Sequence, residues 1–99
     1  MRESEIVSKI LQYLKALPEC FYWKEHGGPY GTNGIPDIII CCQGRFIALE
    51  VKTPSGRPTA LQQAVIRKIT RAGGKAHIVR SVDEVRQIIS QCIRKETNP

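Results

Sequence analysis

No apolar run in this chain is long enough to cross a bilayer, and the charged, amphipathic N-terminus does not resemble a signal peptide. Those two absences give the expectation of a cytoplasmic protein with no membrane partner. There is no C-x-x-C pair among Cys20, Cys41, Cys42 and Cys92, and adjacent strand residues point to opposite faces, so Cys41 and Cys42 do not suit one metal. Zinc ligation and a disulfide framework are both disfavoured, and the expectation is reduced, largely buried thiols. A G-x-x-x-x-G-K-[ST] pattern is missing, and glycines at 28, 31 and 34 do not make G-x-G-x-x-G, so no nucleotide cofactor is expected. Repeats, linkers and low-complexity segments are absent.

Acids are also scarce relative to bases. Nine Asp and Glu face fifteen Lys and Arg, for a formal net charge of +6. A pI near 9.4 points to an anionic partner, most simply nucleic acid. Ninety-nine residues support one domain, 1–99, with one modest core.

The stretch Gly34 to Lys52, GIPDIIICCQGRFIALEVK, reads as two strands, Ile35 to Cys42 and Arg45 to Lys52, around a Gln43-Gly44 turn. A two-residue turn sets Cys42 opposite Arg45. Counting back along both strands then sets Asp37 opposite Glu50, with Cβ atoms ~4.5–5.5 Å apart on one face. Lys52, two residues further on, shares that face. Two carboxylates ~5 Å apart repel by about 3 kcal/mol at an effective dielectric near 20. Lys52 offsets part of this, and a hard divalent cation such as Mg²⁺ or Mn²⁺ would offset more. The competing reading is a solvated strand end with a lysine–glutamate pair.

Upstream, Arg2 to Leu17 has helical spacing and ends at Pro18. Glu3 projects from the buried stripe and is better aimed at the sheet than Glu5, which suits an i,i+4 pair with Lys9; stabilisation of the helix N-terminus explains Glu3 as well. Cys20 to Glu25 is a first strand. Its aromatics fit either the core or base stacking, and core packing is preferred for Phe21 and Trp23. Lys24 is a candidate phosphate contact. The loop from His26 to Gly34 is glycine-rich, and His26 reads as a solvated loop residue.

Downstream, Thr53, Ser55 and Arg57 in the loop after Lys52 are candidate backbone contacts to nucleic acid. Thr59 caps a helix that Gly73-Gly74 ends, with Arg67, Lys68 and Arg71 on a basic face. By spacing alone, Gln62 is an exposed helix residue. Lys75 to Arg80 is a fourth strand in which His77 reads as structural, and Ser81 caps a last helix. The order is αβββαβα: an α/β fold with a mixed four-stranded sheet flanked by helices, its parallel pair joined through a helix.

That order, the Pro36-Asp37 pair, Glu50-x-Lys52 on the next strand and a first-helix glutamate resemble the restriction-endonuclease-like PD-(D/E)xK nuclease superfamily. GIPDII, ALEVKTPSGRPT, Gln62 and Gly73-Gly74 resemble in particular the VRR-NUC family, known from phage and bacterial stand-alone domains. The resemblance covers Glu3 to about Val85. It implies metal-dependent hydrolysis of DNA phosphodiesters, with Asp37, Glu50 and the Val51 backbone carbonyl holding Mg²⁺ or Mn²⁺. Lys52 would act on the attacking water, and Gln62 becomes an accessory site residue. The first-helix acid falls on Glu3, with Glu5 as fallback. Stand-alone members are similar in size to Holliday junction resolvases, which implies a homodimer acting on branched or four-way DNA, bacterial or encoded by a phage in a bacterial host. The alternatives are a flap- or end-directed nuclease within a larger repair complex, and a non-catalytic DNA-binding module on a nuclease fold.

Overall fold

A computed structural model describes residues 1–26 and 33–93. The elements run α1 (Glu3–Lys15), β1 (Cys20–Lys24), β2 (Ile38–Cys42), β3 (Arg45–Val51), α2 (Ala60–Arg71), β4 (Lys75–Val79) and α3 (Val82–Ile93). The sheet order is β1-β2-β3-β4. The first two pairings are antiparallel and β3–β4 is parallel. This is the mixed sheet expected from the sequence.

The register is also the expected one. Cys42 pairs with Arg45 and Ile38 with Leu49, so the next rung is Asp37 and Glu50. Gln43 and Gly44 both have positive φ, 54° and 82°, as a two-residue hairpin turn of the right twist requires. Ladder pairing in β2 starts at Ile38 rather than Ile35, because fully buried Pro36 has no N–H to give to a ladder.

Strand alternation divides the sheet into two unlike faces. On one, Ile38, Ile40, Cys42, Ile47, Leu49, Val51 and Val79 meet Ile6, Val7, Ile10 and Leu14 of α1 and Val85 and Ile89 of α3. Burying each large aliphatic side chain here contributes ~1.5–3 kcal/mol. The α1–α3 seam is closed by the Arg86 guanidinium, 4.8 Å from the centre of the Tyr13 ring.

The other face is covered only in part. α2 lies over its β4 side. Val65, Ile66 and Ile69 are merely half-buried there, and Leu61 is exposed. Its ends are well specified: Thr59 Oγ1 accepts from the Gln62 N–H at 3.0 Å, and Gln62 Oε1 accepts from the Thr59 N–H at 2.9 Å. At the far end Gly73 takes φ +100°, the Gly73 N–H donates to the Thr70 carbonyl, and the Gly74 N–H donates to the Ile69 carbonyl. Ser81 accepts from the Glu84 N–H at 3.2 Å and caps α3.

Two expectations are corrected. The register sets Cys20 opposite Cys42, with Cα atoms 4.1 Å apart, and the two form a cross-strand disulfide. Reasoning from C-x-x-C spacing could not see a pair brought together by strand register across 22 positions. Cys41, on the opposite face, is exposed rather than buried, while Cys92 is buried. Phe21 and Trp23 are likewise not core residues, being 69% and 45% exposed. Both point away from the helix-covered face, where Cys20 and Tyr22 pack instead.

Candidate active site

The Asp37–Glu50 rung lies on the face that carries α2, at the end of β3 from which the chain leaves toward Thr53. Asp37 is fixed by its backbone and by its side chain. Its carbonyl accepts from the Glu25 N–H at 2.7 Å, and its Oδ2 accepts from the Val51 N–H at 2.8 Å. The second contact ties the carboxylate across the hairpin. Pro36, wholly buried just before it, fixes the entry of the strand.

Glu50 is the anomaly of the molecule. It is a charged residue only 3% exposed. Its Oε1 is buried with no hydrogen-bond partner among the described residues. Its Oε2 lies 3.6 Å from Lys52 Nζ. Burial first, then the Asp37 charge, pushes the carboxyl from 4.5 up to about 7, with Lys52 pulling the other way. Hydrogen bonding to Asp37 adds to the rise, as expected when one of two adjacent carboxyls keeps a proton. A buried acceptor without a donor costs about 1–3 kcal/mol. Nothing in core packing repays that cost, whereas a cation would.

The donor set fits a hard divalent ion. Asp37 and Glu50 offer carboxylate oxygens on one rung, and among the described residues Glu50 Oε1 has no donor. No group of three His, Cys, Asp or Glu is placed to hold an ion among the described residues. Mg²⁺ tolerates this, since it is commonly held by one or two carboxylates and completes its shell with water and substrate phosphate.

The remaining candidates divide by position. Glu3 is exposed in the first turn of α1, which packs on the opposite sheet face, and the charges acting on Glu50 are those of Asp37 and Lys52. Glu5 is occupied locally, its Oε1 accepting from the Arg2 N–H at 2.7 Å. Gln62 is the capping-box partner of Thr59, so its carbonyl oxygen is engaged within its own helix. The Val51 N–H is committed to Asp37. Ser55 and Arg57 line one groove of about 670 Å³ beyond Lys52. Thr53 gives its carbonyl to Arg80 and to the Gly56 N–H. Arg67 is exposed on α2, and Lys24 is exposed and alternates to the face opposite the carboxylates. His77 also alternates to that opposite face, where burial and then Lys75 lower its pKa. Of the glycine-rich loop, residues 27–32 lie outside the described residues, and His26 is exposed.

Two residues escaped the sequence reading. Arg80 sends one nitrogen to the carbonyls of Thr53 at 2.6 Å and Gly56 at 2.7 Å, pinning the loop that follows Lys52. Glu25 sits opposite Asp37 and accepts from Trp23 Nε1 at 2.9 Å. No local pattern announces Arg80, since its partners lie 24 and 27 positions away. Glu25 comes to Asp37 only through the β1–β2 register, which no turn pattern in the sequence sets.

No family model and no curated protein matches this chain. Solved structures do. A VRR_NUC domain protein superposes with a TM-score of 0.75 at 20% identity, over 95% of this chain and 89% of the other. A second structure, titled VRR_NUC domain, gives 0.74 at 21% identity, over 89% of this chain and 94% of that one. With its element order, mixed sheet and flanking helices, this chain has the restriction-endonuclease-like fold of the VRR_NUC domain proteins.

Proposed function

We propose that the protein is a divalent-metal-dependent, structure-selective DNA endonuclease that hydrolyses phosphodiester bonds in branched DNA as a homodimer. The observation that carries this reading is the rung itself. A carboxylate anchored by a backbone N–H, a buried carboxyl with an unpartnered oxygen and an ammonium share one end of the sheet. The likeness of the fold to VRR_NUC domain proteins supports a nuclease over other uses of two acids and a lysine.

In this reading Asp37 and Glu50 hold Mg²⁺ or Mn²⁺, with the Val51 carbonyl as a further oxygen. A bound ion of this kind supplies Lewis acidity toward the phosphate and lowers the pKa of coordinated water. The chain's own groups do the rest. Asp37, locked by the Val51 N–H, presents its second oxygen in a fixed direction. Lys52, with a side chain only 12% exposed and 3.6 Å from Glu50, orients the attacking water and stabilises negative charge growing on the phosphate. By resemblance alone Glu3 would be the first-helix acid and Gln62 an accessory residue, Glu3 standing on α1 across the sheet and Gln62 serving the α2 capping box. Thr53, Ser55, Arg57 and Arg67 contact the DNA backbone, Lys24 lying on the opposite sheet face, and the net charge of +6 favours a polyanion. A two-fold dimer sets two such sites against two strands of a symmetric junction.

The test is cleavage of four-way junctions, flaps, nicked duplexes and linear duplex with Mg²⁺, Mn²⁺, Ca²⁺ or EDTA. Cutting of branched substrates with Mg²⁺ or Mn²⁺, abolished by EDTA and by Asp37→Asn, is the expected result. Cleavage indifferent to EDTA, or binding with no cleavage of any substrate, overturns the proposal.

A further inference from the structure

The half of the outer sheet face formed by β1 and β2 carries aromatic side chains that no part of the proposed chemistry uses. Register sorts this face into rungs. The first holds Asp37 and Glu50, the next Trp23, Ile39 and Ala48, and the third Phe21, Cys41 and Phe46. Two positions along a strand advance it by about 7 Å. Trp23 therefore sits one step from the carboxylates and Phe21 two. Phe46, like Phe21 and Trp23, is solvent-exposed, at 46%. Phe21 and Trp23 thus stand in water on the β1–β2 half of this face, and Phe46 stands next to them on β3.

We infer that Phe21 and Trp23 form a stacking platform for unpaired bases of the nucleic-acid strand entering the carboxylate site. The inference rests on the nuclease reading for the orientation of that strand. Three observations choose this occupant. The aromatic rungs are continuous with the carboxylate rung, on an edge strand that a passing chain can cross. The net charge of +6 suits a polyanion. The two ring centres are 6.0 Å apart with planes inclined at 53°. That separation is nearly twice the ~3.4 Å rise between stacked bases, so a paired, stacked strand cannot seat successive bases on both rings and an unstacked one can. Glu25 links the two regions: its carboxylate holds the indole N–H, and its own N–H binds the Asp37 carbonyl. Discrimination for branch points then arises from unpaired bases at the junction rather than from sequence.

Trp23 is the only tryptophan, so its emission reports this surface alone. In EDTA, where no cleavage is expected, the intact protein is titrated with an oligothymidine and with a blunt hairpin of equal phosphate number. Oligothymidine should quench Trp23, and the hairpin should not. In anisotropy titrations with labelled oligothymidine, Phe21→Ala and Trp23→Ala should each weaken binding about tenfold or more, while Trp23→Phe should restore most of the affinity. Circular dichroism checks that each variant is folded. Unchanged affinity in both alanine variants, or absence of quenching by oligothymidine, overturns the platform. So does emission that tracks protein concentration and sedimenting mass but ignores DNA, since a second copy then covers the face. Loss of the nuclease reading looks different: stacking persists, but no metal supports cleavage.

Discussion

Glu50→Gln isolates the energetic cost of the candidate site. The Glu50 carboxyl titrates at about 7 in the fold and near 4.5 when unfolded. Between those values the folded chain binds more protons than the unfolded chain, so stability falls as pH rises. The contribution of the protonated carboxyl is complete below 4.5 and is lost as pH climbs to 7. The gap corresponds to roughly 3 kcal/mol. Attraction to Lys52 is already inside that figure, because it is among the influences that set the folded value. Glutamine is the neutral isostere, so it mimics the protonated carboxyl at every pH. In EDTA at pH 8 the variant should exceed the parent by up to about 3 kcal/mol, a Tm increase of up to roughly 12–24 °C for a domain of this size. Near pH 4.5 the two should melt together. Millimolar Mg²⁺ at pH 8 should raise the Tm of the parent and leave the variant unmoved. Thermal denaturation by circular dichroism at both pH values, with and without Mg²⁺, reads all four quantities. A variant less stable than the parent at pH 8, or an equal difference at both pH values, would refute the reasoning, because the cost would then not come from ionising a buried carboxyl.

Asp37→Asn keeps an acceptor for the Val51 N–H but removes the charge, so cleavage should fall at least about 10²-fold while the Tm moves by only a few degrees, read by gel assay and melting. Gly34 has φ +83°, and a Cβ there would lie 2.9 Å from Leu61 Cγ, so Gly34→Ala should cost roughly 1–3 kcal/mol in chemical denaturation. Arg80→Ala frees the carbonyls of Thr53 and Gly56, so amide exchange at Gly56 should accelerate while β3 and β4 keep their protection. Reducing the Cys20–Cys42 disulfide, which spans 22 positions, should lower stability by about 3 kcal/mol without changing the far-ultraviolet spectrum at room temperature.

What the sequence made legible follows from periodicity and turn chemistry. Alternation in β2 and β3, with a two-residue Gln43-Gly44 turn, was sufficient to set Asp37 opposite Glu50. Thr59 and Gly73 announced both ends of α2 because capping is a local interaction. The misreadings concern the relation of one element to another. Phe21 and Trp23 read as core residues from hydrophobicity because nothing in β1 says which of its faces a helix covers. Cys20 and Cys42 meet only through the β1–β2 register, and that pairing depends on how the glycine-rich loop returns the chain. Arg80 acts through carbonyls, which have no sequence signature.

The two sheet faces explain how a chain of 99 residues tolerates such a rung. A neutral core residue at position 50 would remove a strain of roughly 3 kcal/mol, a large part of the 5–15 kcal/mol by which domains are stable. The strain persists because the opposite face carries the stability independently: Ile38, Leu49 and Val51 flank Asp37 and Glu50 in sequence yet point into the fully buried layer under α1 and α3. The same two strands thus anchor the fold through one set of side chains and hold the acids through the other. Alternation also keeps the acids in register, because a slip of one residue would bury Asp37 in the aliphatic layer and expose Ile38. The apolar layer therefore fixes the geometry of the site as well as offsetting its cost, and core substitutions at Ile38 or Leu49 should disturb the carboxylate rung before they unfold the chain.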